Sequence, residues 1–395
     1  MGASGFRGGG EVKGNGALPR RAAILLLLAA ATAAADSYQG VERVVAVGDV
    51  HGHLAGFTEV LRSAGLIDAK NKWAGGKAHL VQLGDVPDRG PDTRKILDLL
   101  MDLEKQAKKA GGMVHALIGN HEAMNVYGDL RYVTPAEYES FKSGSSVEYR
   151  NRLWEQHLEE LRSKGQEAKA TPDYKKKWEA ETPLGFIEHR LAFGPDGKYH
   201  RWLRGHNAIV RINDSLFLHG GLSPKYGSTP HPELNEQVRK ELMTGKMIET
   251  GILVDPLGPL WYRGLAQSPE AELGEHVDKL LAFYNVKRIV LGHTPTAGAI
   301  VPRFGGKVIL ADVGLSTYYG GRSACLVIEN GQTFALHRGK RLALPDGSPG
   351  SVLAYLKEAA ALEPANSSLT ALVKKLESQP GALAIDGDAD NERKQ

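Results

Sequence analysis

Five short blocks carry residue types suited to metal and phosphate chemistry. They are Gly48-Asp49-Val50-His51-Gly52, Gly84-Asp85-Val86-Pro87-Asp88-Arg89-Gly90, Gly119-Asn120-His121-Glu122, His219-Gly220-Gly221 and Gly292-His293-Thr294. Carboxylate plus imidazole suits manganese, iron or zinc better than calcium or magnesium. Asp49, His51, Asp85, Asn120, His219 and His293 make a candidate ligand set. With one carboxylate shared, such a set holds two divalent ions roughly 3.5–4 Å apart, the spacing used for in-line phosphoryl displacement. Asp85 is the expected bridge. Asp49, His51 and His293 are expected on one metal, Asn120 and His219 on the other, with a hydroxide between the metals as nucleophile. Manganese is the expected metal, with iron or zinc as alternatives.

The remaining residues of these blocks fit the rest of that reaction. Arg89 can clamp phosphate oxygens through its planar fork. His121, beside Asn120, can protonate the leaving oxygen. Asp88 can fix that imidazole and favour its cationic form. Arg263, in Leu260-Trp261-Tyr262-Arg263-Gly264, is a candidate second phosphate contact, and Asn120 a third. One Gly-Asp-x-His-Gly block alone also reads as a strand-to-turn cap in which Asp bonds backbone amides. Five blocks in this order, each after a strand-like run, supply the context that a single motif lacks. His53, His79, His115, His206 and His231 have no such context and are expected to be structural or surface residues, with His53 within reach of the site mouth.

The blocks need a scaffold that brings their loops together. Apolar runs at 44–47, 79–83 and 113–118 alternate with helical patterns at 54–64 and after Pro91. Ile96, Leu100, Leu103 and Ala107 share one helix face at steps of four, three and four. This β-α-β-α-β order predicts an α/β fold with a largely parallel, covered sheet. In such sheets ligands bind at the carboxyl ends of the strands, where each block falls. From 132 to 204 the chain becomes charged, with Trp154, Leu158 and Leu161 at helical spacing, and reads as a helical insertion. Lys175-Lys176-Lys177 within it reads as a solvated face. Further strands are expected at 208–212, 216–218, 288–291, 308–311, 324–328 and 333–336, and helices at 233–250 and 270–284. The catalytic domain is expected over 36–345. A C-terminal tail, 346–395, carries two helical stretches and the acidic run Asp386-Gly387-Asp388-Ala389-Asp390.

Composition narrows the class. The chain has 395 residues, 42% hydrophobic and 24% charged, which excludes a wholly disordered or collagen-like protein. Lys plus Arg is 49 and Asp plus Glu is 46; the small, dispersed excess predicts no nucleic-acid partner. One cysteine, Cys325, excludes an internal disulfide, a zinc finger and an iron–sulfur site. Arg20-Arg21, an apolar run over 22–31 and Ala33-Ala34-Ala35 before Asp36 have the parts of a secretory leader, 1–35. That run is too short to span a bilayer, which takes about 20 residues. The expected location is the secretory pathway or outside the cytoplasm, with plastid or mitochondrion as the alternative.

The blocks together resemble the calcineurin-like metallophosphoesterase superfamily, and Gly-Asp-x-x-Asp-Arg-Gly followed by Gly-Asn-His-Glu resembles its phosphoprotein phosphatase family. Gly119-Asn120-His121-Glu122-Ala123-Met124-Asn125 with Gly128-Asp129-Leu130-Arg131-Tyr132, Pro259-Leu260-Trp261-Tyr262-Arg263-Gly264, Gly292-His293-Thr294-Pro295-Thr296 and Asp312-Val313-Gly314-Leu315-Ser316 are similar to the Shewanella-like protein phosphatases. The resemblance covers roughly 42–340 and implies a metallophosphoesterase β-sandwich, two mixed sheets flanked by helices, with a two-metal centre. It implies the same six ligands, His121 as acid, Asp88 as its partner, and Arg89 and Arg263 on phosphate. The implied activity is hydrolysis of phosphomonoesters on Ser/Thr or Tyr of a phosphoprotein or phosphopeptide. The stretch between His121 and His219 is longer than in the eukaryotic Ser/Thr phosphatases, as the insertion requires. Tyr318 and Tyr319 are expected to line the site. An alternative keeps the metals but takes diadenosine tetraphosphate or another dinucleoside polyphosphate. A binding protein on an inactive scaffold is disfavoured by the complete ligand set.

Overall fold

The computed structural model of the protein describes residues 36–378. The expected leader at 1–35 and the acidic run at 386–390 lie outside the described residues. The strands are β1 (Ser37–Tyr38), β2 (Arg43–Val47), β3 (His79–Gln82), β4 (Met113–Ala116), β5 (Ile209–Ile212), β6 (Ser215–Leu218), β7 (Arg288–Leu291), β8 (Val301–Arg303), β9 (Val308–Leu310), β10 (Ala324–Glu329), β11 (Gln332–His337) and β12 (Lys340–Ala343). They form two six-stranded sheets, ordered β12-β11-β10-β2-β3-β4 and β1-β5-β6-β7-β9-β8. The parallel sheet expected from the β-α-β-α-β order is the β2-β3-β4 half of the first sheet. Antiparallel β10, β11 and β12 complete it. The second sheet has a parallel centre of β6, β7 and β9, with β5 and β8 running antiparallel to it. Both sheets are therefore mixed.

Period-two alternation divides each strand between two apolar layers. Val44 and Ala46 of β2 pack with Val81, Phe217, Val290 and Ile309 in a cluster that unites the inner faces of the two sheets. Val45 and Val47 point the other way, into a cluster with helix residues. Burial on both faces is why these strands read as continuous apolar runs. The helices Leu54–Ser63 and Thr93–Ala110 cover the first sheet, and Ile96, Leu100, Leu103 and Ala107 are all buried there. The helices His231–Thr244 and Glu270–Tyr284 supply Leu234, Val238, Val277 and Leu280 over the second sheet. Each such Leu or Ile contributes about 1.5–3 kcal/mol on burial.

The segment 132–204 folds as five α-helices, Pro135–Phe141, Ser146–Ser163, Pro172–Glu181, Phe186–Phe193 and Lys198–Leu203, and one 3-10 turn, Glu167–Lys169, with no strand. Thr134 and Thr171 cap two of them by accepting from Glu137 N and Tyr174 N, each with proline in the first turn. The three lysines 175–177 are exposed. Two helices after 345, Pro349–Ala360 and Ser368–Ser378, place Val352, Tyr355, Leu356, Leu369 and Val373 in the same apolar cluster as the inner sheet faces. These two helices thus pack into the folded unit that starts at Asp36. Cys325 is buried in β10, where burial pushes its thiol up to about 12.

Candidate active site

The two sheets deliver different residues. In the first sheet, β2, β3 and β4 run parallel, so the loops after them meet at one edge and bring Asp49, His51, Asp85 and Asn120 together. In the second, parallel β6 and β7 are neighbours, with Leu218 opposite Leu291, so His219 and His293 emerge side by side. Their ring centres are 4.7 Å apart. Asp85, His219 and His293 have candidate ligand atoms within 4.8 Å of one another, as do His51, Asp85 and His121. Asp85 is common to both groups, as expected of a bridge. The expected pairing of His293 with His51 is corrected: His293 groups with His219, because strand order in the second sheet decides its neighbour. Its link to Asp49 runs through the backbone, His293 N donating to Asp49 Oδ1 at 3.0 Å.

Three imidazoles share one device. A backbone carbonyl holds one ring nitrogen of each: Pro87 O at 3.0 Å from His51 Nδ1, Leu83 O at 2.7 Å from His219 Nδ1, and Trp261 O at 3.2 Å from His293 Nε2. A carbonyl only accepts, so each bond fixes the tautomer and leaves the other nitrogen as a lone pair. In His219 and His51 that second nitrogen faces the ligand oxygens. His219 Nε2 lies 2.9 Å from Asn120 Oδ1 and 3.2 Å from Asp85 Oδ2, and His51 Nε2 lies 3.9 Å from both Asp49 Oδ2 and Asp85 Oδ2. Bonds of about 2.1 Å meeting near a right angle put neighbouring ligand atoms about 3 Å apart, so the donor set fits divalent metal.

The electrostatics agree with that fit. Asp49, Asp85, Glu122 and Asp312 are buried carboxylates. Burial, then Asp312 and Asp85, raise the Asp49 carboxyl well above the usual range. Burial, with Asp85 adding to it, pushes Glu122 up to about 7 and Asp312 up to about 6. Burial opposes ionisation of Asp85 too, but His219, His121 and His51 hold it well below the usual range. Burial and His121 lower His51 to about 3, and burial and Arg263 hold His293 well below its usual value. Crowded carboxylates beside neutral imidazoles are a setting for cations.

His121 is held differently. Its Nδ1 meets Asp88 Oδ2 at 2.5 Å, and Asn125 Nδ2 donates to the other Asp88 oxygen at 3.0 Å. Burial works against the charged ring, but Asp85 and Asp88 outweigh it and push His121 up to about 9. A cationic imidazole is a proton donor at neutral pH. The Arg89 guanidinium lies 4.5 Å from the Tyr132 ring centre and 4.6 Å from that of Tyr318. Arg263 Nη1 donates to His293 O at 2.6 Å and to Thr294 Oγ1 at 3.2 Å, which sets it beside the same cluster. All ten expected site residues thus lie at one edge of the sandwich. His53 is tied to Leu315 O at 2.9 Å, and His206 to Glu104 Oε1 at 2.6 Å, and neither belongs to a candidate ligand group.

Holding these groups strains the backbone. His51, Asp85, Asp88, Arg89 and His293 have φ of 44°, 56°, 73°, 64° and 64°, a region that costs a side-chain-bearing residue about 1 kcal/mol or more. Glycine is required where the turns touch. A Cβ on Gly48 would lie 2.5 Å from Ala311 O, and one on Gly292 2.7 Å from Asp49 Oδ1.

Three supporting residues escaped the sequence reading. Glu122 accepts from Gly119 N at 2.8 Å, Asp85 N at 2.9 Å and Val86 N at 2.7 Å, binding the second block to the third. Its signal was its place as the third residue of the helix Asn120–Tyr127. Asp312 follows β9 as Asp49 follows β2, and that parallel was the available clue. Tyr132 stands beside both His121, ring centres 5.0 Å apart, and Arg89, which no local pattern announces.

Two mixed sheets with this ligand set at their shared edge define a metallophosphoesterase. A calcineurin-like phosphoesterase family model matches residues 42–297. An uncharacterized protein of Schizosaccharomyces pombe is 35% identical, over 76% of this chain and 82% of that one. Shewanella-like protein phosphatase 2 of Arabidopsis thaliana is 32% identical, over 71% and 73%. The crystal structure of a cold-active protein-tyrosine phosphatase from a psychrophilic Shewanella species is similar at a TM-score of 0.59 and 31% identity, covering 78% of this chain and 82% of that one. The chain belongs to the calcineurin-like phosphoesterases and, within them, to the Shewanella-like protein phosphatases. Among the described residues no helix is long and apolar enough to cross a membrane.

Proposed function

We propose that the protein is a two-metal phosphatase of phosphoproteins, that phosphotyrosine is its preferred substrate, and that manganese is its working metal. The observation that carries this reading is the convergence of three carbonyl-anchored imidazoles with Asp49, Asp85 and Asn120, beside a fourth imidazole held by Asp88. Asp49, His51 and Asp85 would hold one ion; Asp85, Asn120, His219 and His293 the other. When bound, the ions supply Lewis acidity and a water of lowered pKa. Arg89, with Arg263 and Asn120, binds and orients the phosphate. His121 gives its proton to the leaving phenoxide oxygen, and Asp88 keeps the ring turned toward it. The similar Shewanella structure is of a protein-tyrosine phosphatase, which supports the same substrate class.

The test is a competition among phosphotyrosine peptide, phosphothreonine peptide and dinucleoside polyphosphate with manganese supplied, for wild type and His121→Asn. Wild type is expected to favour the phosphotyrosine peptide. The variant is expected to lose about 100-fold in kcat, the scale of one positioned acid. Equal rates for wild type and variant, or turnover of the dinucleotide alone, would contradict the reading.

A further inference from the structure

We infer that Tyr132 and Tyr318 select the phosphorylated side chain by presenting their rings to an aromatic leaving group. The inference rests on the phosphatase reading above and adds a specificity determinant to it. Arg89 and His121 bracket the place where the ester oxygen must sit, one binding phosphate and the other protonating the oxygen that leaves. Tyr132 adjoins both, 4.5 Å from the Arg89 guanidinium and 5.0 Å from the His121 ring. Whatever is bonded to that oxygen therefore lies against Tyr132. The ring is held in place through its own backbone, since Arg89 N donates to Tyr132 O at 3.1 Å.

Tyr318 forms a second wall. Its ring centre is 4.6 Å from the same guanidinium and 4.9 Å from the Tyr319 ring, which itself lies 5.6 Å from His51. The turn that carries it is fastened to the metal loop: Ser316 Oγ accepts from Tyr318 N and donates to His51 O, both at 3.3 Å. Yet Tyr318 stays 47% exposed. A large ring fixed at the mouth with an open face gains burial when a flat apolar group covers it. A phenyl ring meets such walls edge-on or offset at 4.5–7 Å, whereas the threonine carbons present no face to pair.

The measurement is the ratio of kcat/KM for two peptides of one sequence, carrying phosphotyrosine or phosphothreonine at the same position, with manganese present. It is made on wild type, Tyr318→Leu and Tyr318→Phe. Tyr318 lies on an exposed turn, so both variants should fold, and equal melting temperatures check this. The ratio is expected to fall three- to tenfold in Tyr318→Leu, the scale of one aromatic pair, and to return in Tyr318→Phe. Equal losses on both peptides, leaving the ratio unchanged, would overturn the inference and leave the ring as a support for Arg89 alone. Turnover of neither peptide by wild type fails the phosphatase reading itself, and the inference with it.

Discussion

Asp85 is where the site's separate demands meet. Its Oδ2 faces His51, His121 and His219, its Oδ1 accepts from His121 N at 2.9 Å, and its own N–H is held by Glu122. The same carboxylate thus belongs to both candidate ligand groups and seats the helix that carries His121, while Glu122 locks the turn before Arg89 through Asp85 N and Val86 N. Around Asp85 the imidazoles fall into two kinds. A ring whose partner is a carbonyl offers its other nitrogen as a lone pair, while a ring whose partner is a carboxylate is drawn toward the cation. His51, His219 and His293 are of the first kind and His121 of the second. The grouping of His293 with His219 has a direct consequence. In crystals of His293→Ala grown with manganese, anomalous scattering should keep the ion near His51 and lose or weaken the one near His219. Loss of the ion near His51 instead would restore the pairing expected from spacing alone.

At the scale of elements, what was legible depended on whether the signal was local. The strands that begin the ligand loops are apolar runs buried on both faces, and they were readable to within a residue or two. β1, β8 and β12 were not foreseen. They have two, three and four residues, β8 contains Pro302, and Lys340, Arg341 and Ala343 of β12 are exposed, so no apolar run or alternation marks them. The blocks name the candidate ligand residues but not which of them adjoin: His293 has His219 for its neighbour because β7 lies next to β6, a long-range pairing. Glu122 was in plain view as part of a quoted motif, yet its work is done through backbone N–H groups that no spacing reveals. The two helical stretches after 345 are legible in the sequence, but what their apolar faces pack against is a long-range matter that it does not show. Leu356 is 1% exposed within the cluster that joins the sheets. Leu356→Ala should therefore cost the whole domain about 2–5 kcal/mol. Thermal melting followed by circular dichroism and by phosphatase activity should show both transitions lowered together. A lowered helix signal with an unmoved activity transition would mean the segment is peripheral.

For the whole molecule, the site is a product of having two sheets. One sheet alone supplies Asp49, His51, Asp85 and Asn120; the other alone supplies His219, His293 and Asp312. The complete ligand set exists only at the edge where the sheets meet over their common core. The cost of that meeting is visible as strained turns at five site residues and as buried carboxylates pressed together. Binding of cations to the folded form would offset both costs, because a ligand that binds only the native state stabilises it. The helical insertion contributes Tyr132 at its first residue and carries no strand. It also bonds the second block, Glu137 Oε1 accepting from Asp88 N at 3.4 Å.

The central claim is that catalysis needs two ions in this ligand set. The direct measurement is a manganese titration of chelator-stripped, full-length protein, with bound metal and phosphotyrosine-peptide turnover read from the same samples. Turnover should be absent without metal and reach its plateau at two bound equivalents per chain. Turnover by the stripped protein, or a plateau at one equivalent, would contradict the account.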